Sequence, residues 1–152
     1  MKILLLNLLL FVNILAFAQN DLKVTEINDL DQFQSVDSRN MIFFIHTNWC
    51  GFCKQMQAKT WTNQELISLL NEEYYFLSLD AESKETFELA GKTFSHNKGL
   101  NELALALAEE NGRIAYPSLV ILNENYELIY KQSGFHSYKQ VLKILNRLEE
   151  LN

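Results

Sequence analysis

The amino-acid sequence predicts a single α/β domain. The length of 152 residues is close to that of one average domain. Short apolar runs alternate with stretches of helical periodicity, and no internal repeat or linker is visible. The composition, with 48% hydrophobic residues, is sufficient to form a core. The net charge of −6 argues against nucleic acid as a partner, because such a partner requires a basic surface.

The N-terminal segment differs in composition from the rest of the chain. Residues 3–18 include only two polar side chains and end in Ala16-Phe17-Ala18, a small-x-small cleavage sequence. We therefore expect a signal peptide at 1–18 and a mature domain at 19–152, which is periplasmic or secreted and has no stable membrane insertion after cleavage. The alternative is a retained anchor, although a membrane span needs about 20 apolar residues.

The first half of the domain alternates strands with helices. The apolar run Met41–Ile45 is typical of a central strand that is buried on both faces. Thr62 or Asn63 can cap a helix that begins after it. The elements predicted in this half are a weak strand Lys23–Ile27, a helix Leu30–Arg39, the strand Met41–Ile45, a helix Cys50–Thr60, a helix through Asn71 and a strand Tyr74–Leu79.

The second half begins with a polar segment, 80–99, whose clearest candidate element is a short strand at Lys92–Ser95. An amphipathic helix is predicted at Leu100–Glu110, followed by a hairpin with strands Ser118–Leu122 and Tyr126–Lys131. Ser137 and Gln140 form the sequence pattern of a capping box for a last helix.

The two cysteines carry the strongest chemical signal. Cys50 and Cys53 are three residues apart at the predicted start of a helix. This spacing allows a disulfide to close, and the unpaired N–H groups and positive helix dipole stabilise a thiolate at Cys50. Lys54 adds positive charge nearby. Because the thiolate is the attacking species in disulfide exchange, the pair predicts a redox site in which Cys53 resolves mixed disulfides.

Other uses of the cysteine pair are less consistent with the sequence. A structural disulfide that closes four residues stabilises a protein by only about 2 kcal/mol, against about 4.7 kcal/mol for a 100-residue loop. A zinc site needs four ligands, and His46 is the one nearby candidate besides the cysteines. A function as a Cu(I) carrier remains an alternative, because soft thiolates are suitable ligands for that ion. We expect no metal and no bound cofactor, since the cysteines themselves carry the electrons.

The motif Trp49-Cys50-Gly51-Phe52-Cys53-Lys54, with Tyr116-Pro117 before a later strand, resembles the thioredoxin superfamily. The stretch from Cys53 to Asp80 is similar to an exported branch, related to the C-terminal domain of transmembrane disulfide reductases. The resemblance covers Lys23 to Leu148. It implies a thioredoxin fold, with a central mixed sheet flanked by helices, to which this chain adds an extended connection before the cis-proline strand.

The resemblance also implies roles for individual residues. Cys50 is expected to be the nucleophile and Cys53 the resolving cysteine, while Trp49 walls the site and Tyr116-Pro117 forms a cis bond that faces the cysteines. The remaining members of the motif are Gly51, Phe52, which we expect to contact partners, and Lys54.

The function implied is that of an exported thiol–disulfide oxidoreductase. The protein is expected to act as a monomer on protein thiols and disulfides, in the reducing direction, with a membrane electron donor as a further candidate partner. The alternative is an oxidase or isomerase that uses the same residues.

Three features depart from the family pattern. The central dipeptide is Gly51-Phe52, without the proline of typical thioredoxins or the histidine of strong oxidants, and we therefore expect an intermediate or reducing potential. Many thioredoxins hold a buried carboxylate six residues before the first cysteine, where this chain has Phe44. Residues 82–99 extend the usual connection, and either shape partner recognition or form an idle surface loop.

His46 is expected to be a packed, hydrogen-bonded side chain rather than a proton shuttle. The side chains expected in the core include Trp61, Phe76 and Phe87.

Overall fold

The computed structural model describes residues 20–150. The predicted signal peptide at 1–18 lies outside the described residues. None of the helices in the described range is long and apolar enough to cross a membrane.

Eight strands and five α-helices form the described domain. The strands are β1 (Asn40–His46), β2 (Tyr74–Asp80), β3 (Phe87–Leu89), β4 (Lys92–Phe94), β5 (His96–Asn97), β6 (Leu100–Asn101), β7 (Ser118–Leu122) and β8 (Leu128–Ser133). The helices are α1 (Leu30–Val36), α2 (Gly51–Lys59), α3 (Gln64–Glu73), α4 (Glu102–Ala108) and α5 (Tyr138–Glu149).

The central sheet is mixed and has the order β2-β1-β7-β8. β1 is parallel to β2 and antiparallel to β7, while β7 is antiparallel to β8. Residues 41–45 of β1 are all buried, as expected for an apolar strand with neighbours on both sides and both faces covered. This architecture confirms the predicted fold class.

The two faces of the sheet carry separate apolar clusters. Met41, Phe43 and Ile45 of β1 face the cluster that includes residues of α1 and α4. Ile42 and Phe44 face the opposite way, toward residues of α2, α3 and α5. The alternation follows from the two-residue period of a strand. Both cysteines belong to the second cluster, so the redox motif packs against one face of the sheet.

The predicted strand Lys23–Ile27 is wrong. Only Val24 bridges to Phe76 of β2, and the chain then forms a 3-10 turn at Ile27–Asp29. The apolar residues of the segment, Val24 and Ile27, are three positions apart and cannot share one face of a strand. Val24 is accordingly 52% exposed, whereas Ile27 is buried.

Two predicted helices are shorter than expected. α1 ends at Val36 instead of Arg39, because Asp37 is extended and the Gln34 side chain bonds both backbone groups of Arg39. α4 begins at Glu102, since the Asn101 side chain caps it by accepting from the Leu103 N–H at 3.0 Å.

The second strand of the predicted hairpin begins later than expected, since β8 spans Leu128–Ser133 and Tyr126, with a φ of 63°, belongs to the turn before it. The capping and burial predictions are confirmed. Asn63 is the cap of α3, where its side chain accepts from the Leu66 N–H at 3.1 Å. The capping box of Ser137 and Gln140 opens α5. The three aromatic side chains expected in the core are all buried, namely Trp61, Phe76 and Phe87.

The extended connection between β2 and α4 is structured. β3 and β4 pair as one small antiparallel sheet, and β5 and β6 pair as another. Phe87 and Leu89 of β3 are buried against the first face of the main sheet. The buried Asn101 donates to the backbone carbonyl oxygens of Ser83 and Glu85, which ties the end of the connection to its beginning. The connection is therefore a structured part of the domain that packs on it through Phe87 and Leu89.

Candidate active site

The cysteine pair lies where β1 leads into α2. Cys50 and Cys53 form a disulfide, with their Cα atoms 5.2 Å apart. Cys50 is the N-cap of α2, and its sulfur accepts a hydrogen bond from the Cys53 N–H at 3.1 Å. The structure thus places the sulfur of Cys50 against an N–H group that has no partner within the helix.

The two cysteines differ in depth. Cys50 is 6% exposed and Cys53 is 1% exposed. Both cysteines pack in the apolar cluster that includes Met56 and Phe44, and the exposed residues Asn48 and Trp49 directly precede Cys50. Both cysteines are thus buried, and Cys50 is the slightly more exposed of the two.

The three other residues of the motif that follow Trp49 are exposed. Phe52 is 63% exposed, in agreement with the expectation that it faces outward. A Cβ atom added to Gly51 would meet nothing within 4 Å, so the surface beside Cys50 is open. Lys54 is exposed, and neither of the two ion pairs found among residues 20–150 includes it.

Trp49, directly before Cys50, is held on two sides. Its ring meets the Tyr116 ring edge-on, with 5.8 Å between centroids. Its indole Nε1–H donates to a carboxylate oxygen of Glu82 at 2.9 Å. These contacts fix the orientation of a side chain that is 65% exposed.

Tyr116 and Pro117 lie at the same end of the sheet as the cysteines. The Tyr116–Pro117 peptide bond is cis, and Ser118 directly after it pairs with Ile45 at the end of β1. Pro117 is buried, whereas Tyr116 is half-buried against Trp49. Burial raises the pKa of the Tyr116 hydroxyl, and the negative charges of Glu82 and Asp80 raise this pKa further.

Two acidic residues at the end of β2 belong to this site, and sequence reasoning did not identify them. Asp80 accepts from the Asn48 side-chain amide at 3.1 Å and from the Glu82 N–H at 3.0 Å, while Glu82 bonds Trp49. One sequence signal could have found them. The predicted strands Met41–Ile45 and Tyr74–Leu79 are joined by helices, as in a parallel pair, and the carboxyl ends of parallel strands meet at one edge of a sheet.

Phe44 fills the position at which many thioredoxins have a carboxylate. It is 1% exposed, and its ring meets Trp61 edge-on at 5.4 Å and stacks on His46 at 5.1 Å between centroids. Phe44 and Trp61 share the apolar cluster of the two cysteines. The surroundings of Cys53 are therefore aromatic at this position.

His46 is packed and hydrogen-bonded. Its Nε2 atom lies 2.9 Å from the Ser78 hydroxyl oxygen, and its ring stacks on Phe44. Burial lowers the pKa of His46, and the charge of Asp80 partly opposes this decrease. At a pH above this lowered pKa, the imidazole is a neutral group at the edge of the site.

Comparison with known proteins identifies the family. A family model described as a thioredoxin-like domain matches residues 28–149. This protein belongs to the thioredoxin-like family. Family membership, together with the disulfide at CxxC spacing, supports assignment of this thioredoxin-like protein as a thiol–disulfide oxidoreductase.

Solved structures show the same fold at low sequence identity. A DsbH oxidoreductase has 13% identity and a TM-score of 0.64, with 90% of each chain covered. A thioredoxin from Thermus thermophilus has 18% identity and a TM-score of 0.58, with 82% of this chain and 84% of that chain covered. A thioredoxin-fold protein from Helicobacter pylori has 16% identity and a TM-score of 0.56, with 74% and 70% covered. No curated protein matched the sequence.

Proposed function

We propose that this thioredoxin-like protein is an exported reductant of protein disulfides. The observation that carries the proposal is the Cys50–Cys53 disulfide at the start of α2, with the Cys50 sulfur accepting the Cys53 N–H. A thiolate formed at Cys50 keeps this donor and the positive end of the helix dipole, and both favour the charged form.

In the proposed reaction, the Cys50 thiolate attacks one sulfur of a partner disulfide and releases the other partner sulfur as a thiolate. The resulting mixed disulfide joins Cys50 to the partner. Cys53, as a thiolate, then attacks the Cys50 sulfur and releases the second partner thiolate. The cysteine pair loses two electrons and becomes a disulfide, while the partner takes up two electrons and two protons to give two thiols.

The proposed partners follow from the two electrons that the cysteine pair loses in each reaction. Each cycle leaves the protein oxidised, so an electron donor must return the cysteine pair to the dithiol form. The apolar N-terminal segment predicts export, so the donor must act outside the cytosol. We assign this role to a membrane protein. The mature protein acts as a monomer in this scheme, because a single chain contains both cysteines of the site.

The redox potential of the cysteine pair tests the direction of transfer. The protein is equilibrated in glutathione buffers, and the dithiol fraction is measured by alkylation and mass spectrometry. We expect a potential more negative than about −180 mV, the value for protein disulfide isomerase, because the motif has Phe52 where strong oxidants have a histidine. Phe52→His serves as the comparison variant and should have a less negative potential. A wild-type value near −120 mV would instead assign the protein as an oxidase.

Export predicts a defined mature N-terminus. Protein recovered from outside the cytosol should begin at Gln19, because Ala16-Phe17-Ala18 precedes that residue. Intact-mass measurement of the recovered protein checks the cleavage position. Retention of residues 1–18 in the exported material would favour a membrane anchor over a cleaved signal peptide.

A further inference from the structure

The surface around Cys50 presents two large exposed aromatic side chains. Trp49 is 65% exposed and Phe52 is 63% exposed, and they lie on either side of Cys50 and Gly51 in the chain. Both rings are available for contact with a polypeptide whose disulfide reaches Cys50, because they are exposed and lie within two residues of it in the chain. Contact with the rings provides affinity but little selectivity, because apolar contact is non-directional.

Two carboxylates border the aromatic surface, and both accept hydrogen bonds from uncharged groups. Asp80 accepts from the Asn48 amide and the Glu82 backbone N–H, and Glu82 accepts from the Trp49 indole. All three donors are uncharged, so the hydrogen bonds orient the carboxylates without neutralising them. Neither ion pair within residues 20–150 involves Asp80 or Glu82.

The electrostatic effect of these carboxylates extends across the site. Both Glu82 and Asp80 act on the hydroxyl of Tyr116, the residue that precedes Pro117. Tyr116 in turn contacts Trp49, whose ring centroid lies 5.8 Å from its own. The negative charges therefore act on the side of the site where Tyr116 and Trp49 are in contact.

The nearest cations in sequence, Lys54 and Lys84, form no ion pair with either carboxylate within residues 20–150. Both lysines are exposed. Glu85 follows Lys84 directly and is also exposed. Asp80 and Glu82 are held in place by hydrogen bonds, whereas none is found for the side chains of the two lysines within residues 20–150.

We propose that Asp80 and Glu82 make this protein selective for partner disulfides that have a lysine or arginine beside the reacting cysteine. The inference rests on the proposed function and names its substrate class. A basic side chain beside the partner cysteine is attracted as the partner approaches, and an acidic one is repelled. The effect is expressed mainly in the association rate and depends on salt, because the carboxylates lie at the rim of the contact.

Two cyclic peptides test the proposal. They share one intramolecular disulfide and differ only in the residue after the second cysteine, which is Lys in one peptide and Glu in the other. The fully reduced protein is mixed with each peptide, and the released peptide thiols are measured after an acid quench. We expect the Lys peptide to be reduced about tenfold faster at low salt. The difference should shrink near 1 M salt, where the Debye length falls to about 3 Å.

Variants separate this preference from intrinsic peptide reactivity. Glu82→Gln keeps an acceptor for the Trp49 indole but removes the charge, so the rate ratio should fall several-fold. Asp80→Asn combined with Glu82→Gln should bring the ratio close to one. Glu124→Gln is the matched control, because Glu124 is exposed in the turn after β7, at the opposite end of the sheet, and should leave the ratio unchanged.

The possible outcomes distinguish the two proposals. Equal reduction of both peptides by the wild-type protein, or a preference that survives loss of both carboxylates, overturns the selectivity while leaving the reductant function intact. Failure to reduce either peptide overturns the proposed function itself. A preference that falls in the Glu82→Gln variant and persists in Glu124→Gln supports the selectivity.

Discussion

Replacement of Cys50 by serine should lower the rate of protein-disulfide reduction by at least about a thousandfold, because the variant lacks the attacking thiolate. The Cys53→Ser variant should also lose turnover, but for a different reason. It retains Cys50 and can form a mixed disulfide, yet it has no second thiol to resolve that intermediate. We therefore expect Cys53→Ser to accumulate covalent complexes with its partners, and Cys50→Ser to accumulate none.

Non-reducing electrophoresis and mass spectrometry of the trapped complexes measure this difference. The double variant that lacks both cysteines is the control for non-covalent association. The expected order follows from depth, because Cys50 is 6% exposed beside open surface at Gly51 and Cys53 is 1% exposed in an apolar cluster. Trapping by the Cys50→Ser variant instead would reverse the assigned roles.

The parts of the fold that were predictable from sequence depend on local patterns. The run Met41–Ile45 can be buried on both faces only in a central strand, and the structure has that strand at Asn40–His46. The cysteine spacing and the apolar strand before it were sufficient to place the disulfide at a helix start. The position of Pro117 before β7 likewise followed from the family motif.

The features that were missed depend on contacts between distant segments. The bond from Trp49 to Glu82 joins residues 33 positions apart, and no periodic pattern encodes such a pairing. The helix predicted to begin at Leu100 starts at Glu102, because Leu100 and Asn101 pair with His96 and Asn97 in a short antiparallel sheet. Local propensity could not anticipate that pairing, since tertiary contacts override it in short segments.

The Phe44→Ala variant should lose about 3–5 kcal/mol of unfolding free energy, the usual cost of removing a buried phenylalanine ring. Phe44 is 1% exposed at the centre of β1, between Ser78 of β2 and Leu119 of β7. Truncation leaves a cavity and removes the edge-on contact with Trp61. This loss is a large fraction of the total stability of a typical domain, which is about 5–15 kcal/mol.

Urea unfolding of the oxidised protein measures the effect. The surface variant Val36→Ala is the control, because Val36 is 85% exposed and its truncation should change stability by no more than about 0.5 kcal/mol. A loss below about 1 kcal/mol in Phe44→Ala would contradict the packing argument.

Phe44→Asp introduces the carboxylate that many thioredoxins have at this position. It should be at least as destabilising as Phe44→Ala, because it buries a charge among aromatic rings without a partner. Phe44 shares an apolar cluster with both cysteines. Cys53 therefore packs in a cluster with an aromatic ring at the position where many thioredoxins have a carboxylate.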